Sequence, residues 1–200
     1  MTEPLDLVTV QRHLRLTDDQ VDESYVGGLV VAARRVCELQ TGRALIGRTV
    51  SRTLDAFPTS GPAFPYPIPV EVAQPDALDI LLPGGAVSAI TAFTYRDGSG
   101  TTQTVDPASY ISDFTQEPGR LGPVAAWPVA GPQPGAIRIS YTVVPMDPDD
   151  LQVAIQAQLL LIGHWFANPE AVAIDVRGIP VEAPLAVTWL IGSLRKFATS

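Results

Sequence analysis

The chain is poor in the side chains from which active sites are built. It has one cysteine (Cys37), two histidines (His13 and His164) and one lysine (Lys196), beside twelve arginines. A single cysteine excludes an intramolecular disulfide framework and a zinc cluster of paired cysteines. The histidines stand in no metal-ligand spacing such as His-x-x-x-His. No Gly-x-Ser-x-Gly elbow, no Gly-x-x-x-x-Gly-Lys-Ser/Thr phosphate loop and no Gly-x-Gly-x-x-Gly fingerprint occurs. The Gly98-Ser99-Gly100 run reads as a turn, not a nucleophile site.

Each remaining polar residue has a structural reading. Cys37 lies among Arg35, Val36 and Glu38 on a helical pattern and reads as a small packing residue. His164, beside Trp165 in an apolar helix, reads as packed or capping, and His13 as a surface or packing residue. The acidic groups Asp18, Asp19, Asp22 and Glu23, and Asp147, Asp149 and Asp150, fall where helices start, so capping explains them without a cation. The expectation is no catalytic residue, no metal, no cofactor and no enzymatic activity.

Long apolar runs are absent too. The longest, residues 151–166, is shorter than the ~20 residues that span a bilayer and contains Gln152, Gln156 and Gln158. The opening MTEPLDLVTV has no basic region followed by an apolar stretch, so the expectation is a chain made and kept in a cytoplasm, with no membrane contact.

What is present is a globular composition, with 46% hydrophobic and 17% charged residues. At 200 residues one domain can bury roughly 70% of its unfolded surface. The net charge of −8 makes the chain a poor sequence-independent DNA binder, because that affinity rests on Lys and Arg neutralising phosphates.

The periodicity divides the chain into helical ends and an extended middle. Thr9 is expected to cap a short helix, Val10 to Leu16. A second helix, Asp19 to Gln40, is expected to bury Val21, Tyr25, Leu29, Ala32, Val36 and Leu39 and to stop at Gly42. Gly27 and Gly28 interrupt it and leave room for another backbone to approach closely. From Gly47 the period becomes extended, with seven prolines between Pro58 and Pro83 marking an irregular contact loop. Strands are expected at Val87–Tyr95, Thr101–Val105 across an Asp97-Gly98-Ser99-Gly100 turn, Tyr110–Phe114, Leu121–Trp127 and Ile137–Val143.

Asp147-Pro148 then opens a third helix with a main stripe of Leu151, Ile155, Leu159, Ile162 and Phe166. Val153, Leu160 and Leu161 make its other flank apolar as well, so a second cover is expected there, read as another subunit. Glu182-Ala183-Pro184 starts a last helix. The fold class is therefore α+β: a helical bundle formed by both termini with an inserted, mainly antiparallel β-region. The expected organisation is a single domain, 1–200, with 1–46 and 146–200 helical, 47–145 inserted and the Pro-rich loop at 58–83.

The order of motifs carries a resemblance. It runs through Val8-Thr9, His13-Leu14-Arg15-Leu16, Asp18-Asp19-x-x-Asp22, Ala32-Ala33 and Thr41-Gly42-Arg43-Ala44-Leu45. It continues with Leu81-Leu82-Pro83, Val87-Ser88-Ala89-Ile90, Tyr95-Arg96-Asp97-Gly98, Tyr110 and Trp127-Pro128. It closes with Ile155 to His164-Trp165-Phe166, and Ile179-Pro180 before Leu190 to Arg195. Over nearly its whole length the chain resembles the head-tail connector, or adaptor, proteins of long-tailed bacteriophages and their relatives in gene transfer agents. It departs from them in Phe166-Ala167-Asn168-Pro169-Glu170, where the family commonly has Tyr-Glu-Asn-Arg-Glu, and in a longer Pro-rich stretch, 58–75.

The resemblance implies a ring of about twelve copies at the head-tail junction of a virion or gene transfer agent particle. The ring would sit between the portal protein and a tail-side stopper or terminator, with DNA passing through unbound. It implies portal contact by the C-terminal region, carried here by Trp189, Leu190, Leu194, Arg195, Lys196 and Phe197. A segment there is expected to order only on docking. Twelve copies would carry roughly −96, a field that repels phosphate. The alternative is a β-sheet module recognising carbohydrate or a host surface. It requires Phe93, Tyr95 and Tyr141 exposed in a groove, whereas the adaptor expects them on the inner face of a sheet.

Overall fold

The computed structural model describes residues 3–17, 22–59, 78–168 and 185–195. Most of the Pro-rich stretch, together with Lys196 and Phe197, lies outside the described residues. The α+β class expected from the sequence is the one found. The chain divides into two compact units, residues 1–46 with 145–200, and residues 47–144.

The first unit is helical. Helix α1, Leu7–Leu14, starts earlier than expected. Its cap is Asp6, whose carboxylate accepts from the Thr9 N–H at 2.6 Å, and Leu5 just outside is buried at the bundle core. Thr9 is therefore inside the first turn rather than at its cap. Helix α2, Glu23–Thr41, is capped by Asp22 and ends on Gly42 at φ 71°. That left-handed conformation costs glycine no Cβ clash. Helix α3, Pro148–Ala167, has Asp147 as cap and proline in its first turn. Helix α4, Leu185–Leu194, follows.

The buried face of α2 is Val26, Leu29, Val30, Ala33, Cys37 and Thr41. This corrects the expected stripe by roughly a quarter turn, for Tyr25 is 41% and Leu39 74% exposed. Both stripes are apolar at helical spacing, so periodicity alone does not choose between them. Gly27 and Gly28 sit inside the helix at roughly 1 kcal/mol each relative to Ala. A Cβ at either would meet nothing within 4 Å.

Helix α3 packs against α1, α2 and α4, which accounts for its near-continuous apolar surface. Ala154, Ala157, Leu159, Leu161 and Ile162 are buried there. No described helix is long and apolar enough to cross a membrane.

Among its described residues the second unit is all β apart from a 3-10 turn at Pro107–Ser109. Its strands are β1 (Arg48–Leu54), β2 (Ile80–Leu82), β3 (Val87–Arg96), β4 (Thr102–Thr104), β5 (Tyr110–Asp113), β6 (Gly119–Pro123) and β7 (Ile137–Val143). They form two antiparallel sheets, β1-β7-β3-β4 and β2-β6-β5. Strand β7 alternates as its sequence demands, burying Ile137, Ile139, Tyr141 and Val143. Strand β2 was not expected, because three residues are too few for periodicity to register; pairing with Gly119–Leu121 makes it.

Between the sheets lies an aromatic cluster in which Phe93 of β3 meets Tyr110 of β5 edge-on at 5.4 Å. Phe57 stacks on Trp127 at 5.3 Å and lies 6.1 Å from Phe93. Such pairs add about 0.5–1.5 kcal/mol beyond their burial.

The β3–β4 turn is held by one carboxylate. Asp97 Oδ1 accepts from Ser99 N–H at 2.9 Å, the Ser99 hydroxyl at 2.6 Å and Thr101 N–H at 3.0 Å. Oδ2 accepts from the Gln103 amide at 3.0 Å. Bonds from the Ser99 and Gln103 side chains, together with the backbone donors, favour the charged form and hold the carboxyl from 3.8 down to about 2. The turn is clasped by Gly131, whose N–H donates to the Arg96 carbonyl at 2.8 Å. A Cβ there would stand 2.4 Å from the Asp97 carbonyl oxygen.

Two outcomes are expected. Gly131→Ala destabilises this unit by about 1–3 kcal/mol through that overlap, while Gly98→Ala, where a Cβ meets nothing within 4 Å, is near neutral; urea unfolding compares them. Because the Asp97 pKa is depressed on folding, its contribution is complete above about pH 4 and fades as pH falls toward about 2. Turn amide exchange should accelerate over that window in the wild type and lose this dependence in Asp97→Asn.

Candidate assembly interface

No set of three His, Cys, Asp or Glu side chains able to hold a metal occurs among the described residues. Cys37 is fully buried, and desolvation pushes its thiol up to about 12. It is therefore an un-ionised core residue rather than a nucleophile. The His164 Nε2 is buried with no hydrogen-bond partner among the described residues. The His13 ring lies against Gly163 of α3, at 3.3 Å from where a Cβ would stand.

A cavity of about 380 Å³ in the β unit is lined by Phe57, Pro58, Leu78, Trp127, Pro128 and Val129, with alanines and Thr59. None of these side chains titrates, and the Trp127 indole N–H is committed to the Leu78 carbonyl at 2.7 Å. Phe93 and Tyr141 are only 3% and 2% exposed. The Tyr141 hydroxyl donates to the Pro83 carbonyl at 2.7 Å. The aromatic groove that a β-sheet recognition module requires of these residues is not formed by them.

The polar chemistry of the helical unit is concentrated where three helix ends meet. Gly42 turns the chain so that Arg43, 5% exposed, points inward. Its Nη1 donates to Asp150 Oδ2 at 2.5 Å and to the Leu194 carbonyl at 3.5 Å. Its Nη2 lies 3.6 Å from Asp147 Oδ2. Asp147 in turn caps α3 through the Asp150 N–H at 3.0 Å.

One turn back, the buried Glu38 carboxylate accepts from Arg34 at 2.9 Å and from the Leu45 N–H at 3.1 Å. Arg34 reaches on to Glu3 at 2.8 Å. Arg195 Nε donates to the Gln40 carbonyl at 2.8 Å. The Thr41-Gly42-Arg43 motif is thus the junction of α2, α3 and α4.

The residues assigned to contacts divide. Trp189 is 74% and Leu185 73% exposed, one turn apart on α4; Leu190 is half-buried and Arg195 exposed. Leu194, however, is 2% exposed and belongs to the bundle core. The segment expected to order only on docking is, over Leu185–Leu194, a helix with Val187, Ile191 and Leu194 buried.

On α3, Leu160 is 36% exposed and Val153 half-buried, but Leu161 is 2% exposed. The second cover inferred for that flank is, at Leu161, supplied by the chain's own helices. Of the exposed apolar side chains of α2, Tyr25 and Leu39 were expected in the core and Val31 was not singled out. The second apolar stripe through Val26, Val30, Ala33 and Cys37 was the available signal.

No protein-family model matches the chain, and no curated protein matches it. Solved structures do. A chain in the neck of an empty GTA particle computed with C6 symmetry aligns over 100% of this chain and 95% of its own, with TM-score 0.68 and 21% identity. This is the fold of a gene transfer agent neck chain. A chain in the virion of a native gene transfer agent particle aligns over 98% and 92%, with TM-score 0.67 and 20% identity. One in the neck of a native GTA particle computed with C12 symmetry aligns over 95% and 90%, with TM-score 0.60 and 21% identity. At these identities the likeness is one of fold, and it agrees with the head-tail connector resemblance carried by the motifs.

The Arg43 junction yields a stability expectation. Losing one partner of a buried ion pair costs roughly 3–5 kcal/mol, and since Asp147 and Asp150 both reach water the lower end applies. Arg43→Met should therefore destabilise the helical unit by about 3 kcal/mol, read from the urea midpoint followed by helical circular dichroism.

Proposed function

We propose that this chain is a structural, non-enzymatic head-to-tail adaptor at the neck of a virion or gene transfer agent particle. About twelve copies form a ring between the portal and a tail-side stopper or terminator. The observation that carries the reading is the likeness of fold, over 100% and 95% of the chain, to chains from GTA necks computed with C6 and C12 symmetry.

The acidic balance, −8 per chain, suits a ring through which DNA passes without adhering. Portal contact is assigned to the outer side of α4, through Trp189, Leu190 and Arg195, with Lys196 and Phe197 following in sequence. Lateral contact is assigned to Val153 and Leu160 on α3. Leu194 and Leu161 drop out of these surfaces because they are core residues.

Deleting the chain from Pro180 would remove Val187, Ile191 and Leu194 from the core and confound attachment with folding. Trp189→Glu leaves the core intact. It should melt like the wild type yet bind portal-bearing heads at least tenfold more weakly in co-sedimentation. Undiminished binding would remove α4 from the portal contact.

A further inference from the structure

A ring of more than two identical copies closes only if each copy offers two different, complementary patches. The α3 surface supplies one. The second is found on the side of α2 that faces away from the core. Residues 25, 28, 32, 35 and 39 recur there at steps of three and four, with Val31 beside them, and all six are exposed. Tyr25 is 41%, Val31 44% and Leu39 74% exposed. The only charge in the set is Arg35, and it is tied to Glu38 at 3.3 Å.

A solvent-facing side of a 19-residue helix ordinarily carries charged and polar residues. This one is apolar, with its smallest members, Gly28 and Ala32, at the centre. Gly28 has neither a positive φ nor any neighbour within 4 Å of a Cβ position. Neither backbone conformation nor packing among the described residues calls for glycine, and close approach by another chain does.

We infer that the outer face of α2 is the second half of the ring contact and packs against the outer face of α3 in a neighbouring copy. The inference rests on the ring reading given above. Along α3 the exposed positions are Pro148, Asp149, Gln152, Gln156, Leu160 and Ala167, with Val153 half-buried beside them. Asp149 is the only charge on that face and Arg35 the only charge on the α2 face, of opposite sign. The small centre at Gly28 and Ala32 receives Leu160, and the α3 glutamines meet the backbone that Gly28 leaves open.

The test uses particles assembled on the full-length chain. Gly28→Ala adds one methyl where the neighbouring backbone approaches and should lower incorporation measurably, though less than a large side chain does. Gly28→Arg should reduce incorporation at least tenfold. Isolated Gly28→Arg should melt no lower than the wild type, since no described residue occupies that space. Because Cys37 is buried, a chain bearing Ala32→Cys and Leu160→Cys should yield ladders of chain multiples with a short bis-maleimide. Either single variant should give no ladder.

Wild-type incorporation of Gly28→Arg, or cross-links only to other particle proteins, would overturn the α2–α3 contact while leaving the ring intact. A wild-type neck imaged without a ring of this chain would overturn the adaptor reading and the contact together.

Discussion

The helical unit depends on a buried guanidinium. Arg43 is placed by a glycine that alone tolerates the turn at the end of α2, and it reaches the first turn of α3 and the last carbonyl of α4. Asp147 serves both as the cap of α3 and as an acceptor near Arg43, so helix initiation and inter-helix docking share one carboxylate. The Coulombic attraction is strong because Arg43 is nearly dry, and tolerable because both acids keep water on one side. Removing any of Gly42, Arg43 or Asp147 would disturb three helices at once, which gives the Thr41-Gly42-Arg43 motif a physical reason.

The legibility of the sequence varied with how local each determinant is. The extent of α3 and its Asp147-Pro148 start, the Gly42 stop, the Asp97 turn and the alternation of β7 were readable because the residues that fix them are adjacent in the chain. The α2 core face was misplaced because two apolar stripes compete on one helix, and only packing against α3 decides. Strand β2 was hidden because its three residues become a strand through pairing with β6.

Leu161 and Leu194 were given outward roles for a related reason: apolarity is visible in sequence, while the identity of what covers it is not. The aromatic residues fared better, since alternation in β3 and β7 already assigns Phe93 and Tyr141 to one side of a sheet.

In the proposed adaptor role the chain works through its surfaces rather than through a cleft. The groups that could react are withdrawn: the thiol is buried and un-ionised, and the buried charges of the helical unit are engaged with one another. The outward sides of α2, α3 and α4 carry exposed apolar side chains beside few charges, Glu23, Arg35 and Asp149, and the energetics expected of them in that role are those of packing against other proteins.

The three tryptophans fall unevenly on this architecture. Trp127 is the only one in the β unit, stacked face to face on Phe57, while Trp165 and Trp189 belong to the helical unit. Intrinsic fluorescence therefore contains separate signals for the two units. With Trp165 and Trp189 replaced by phenylalanine, emission tracks the sandwich alone, so its melting can be timed against the helical signal without any label. Whether the two units lose structure together or in sequence is thus readable from the chain's own chromophores.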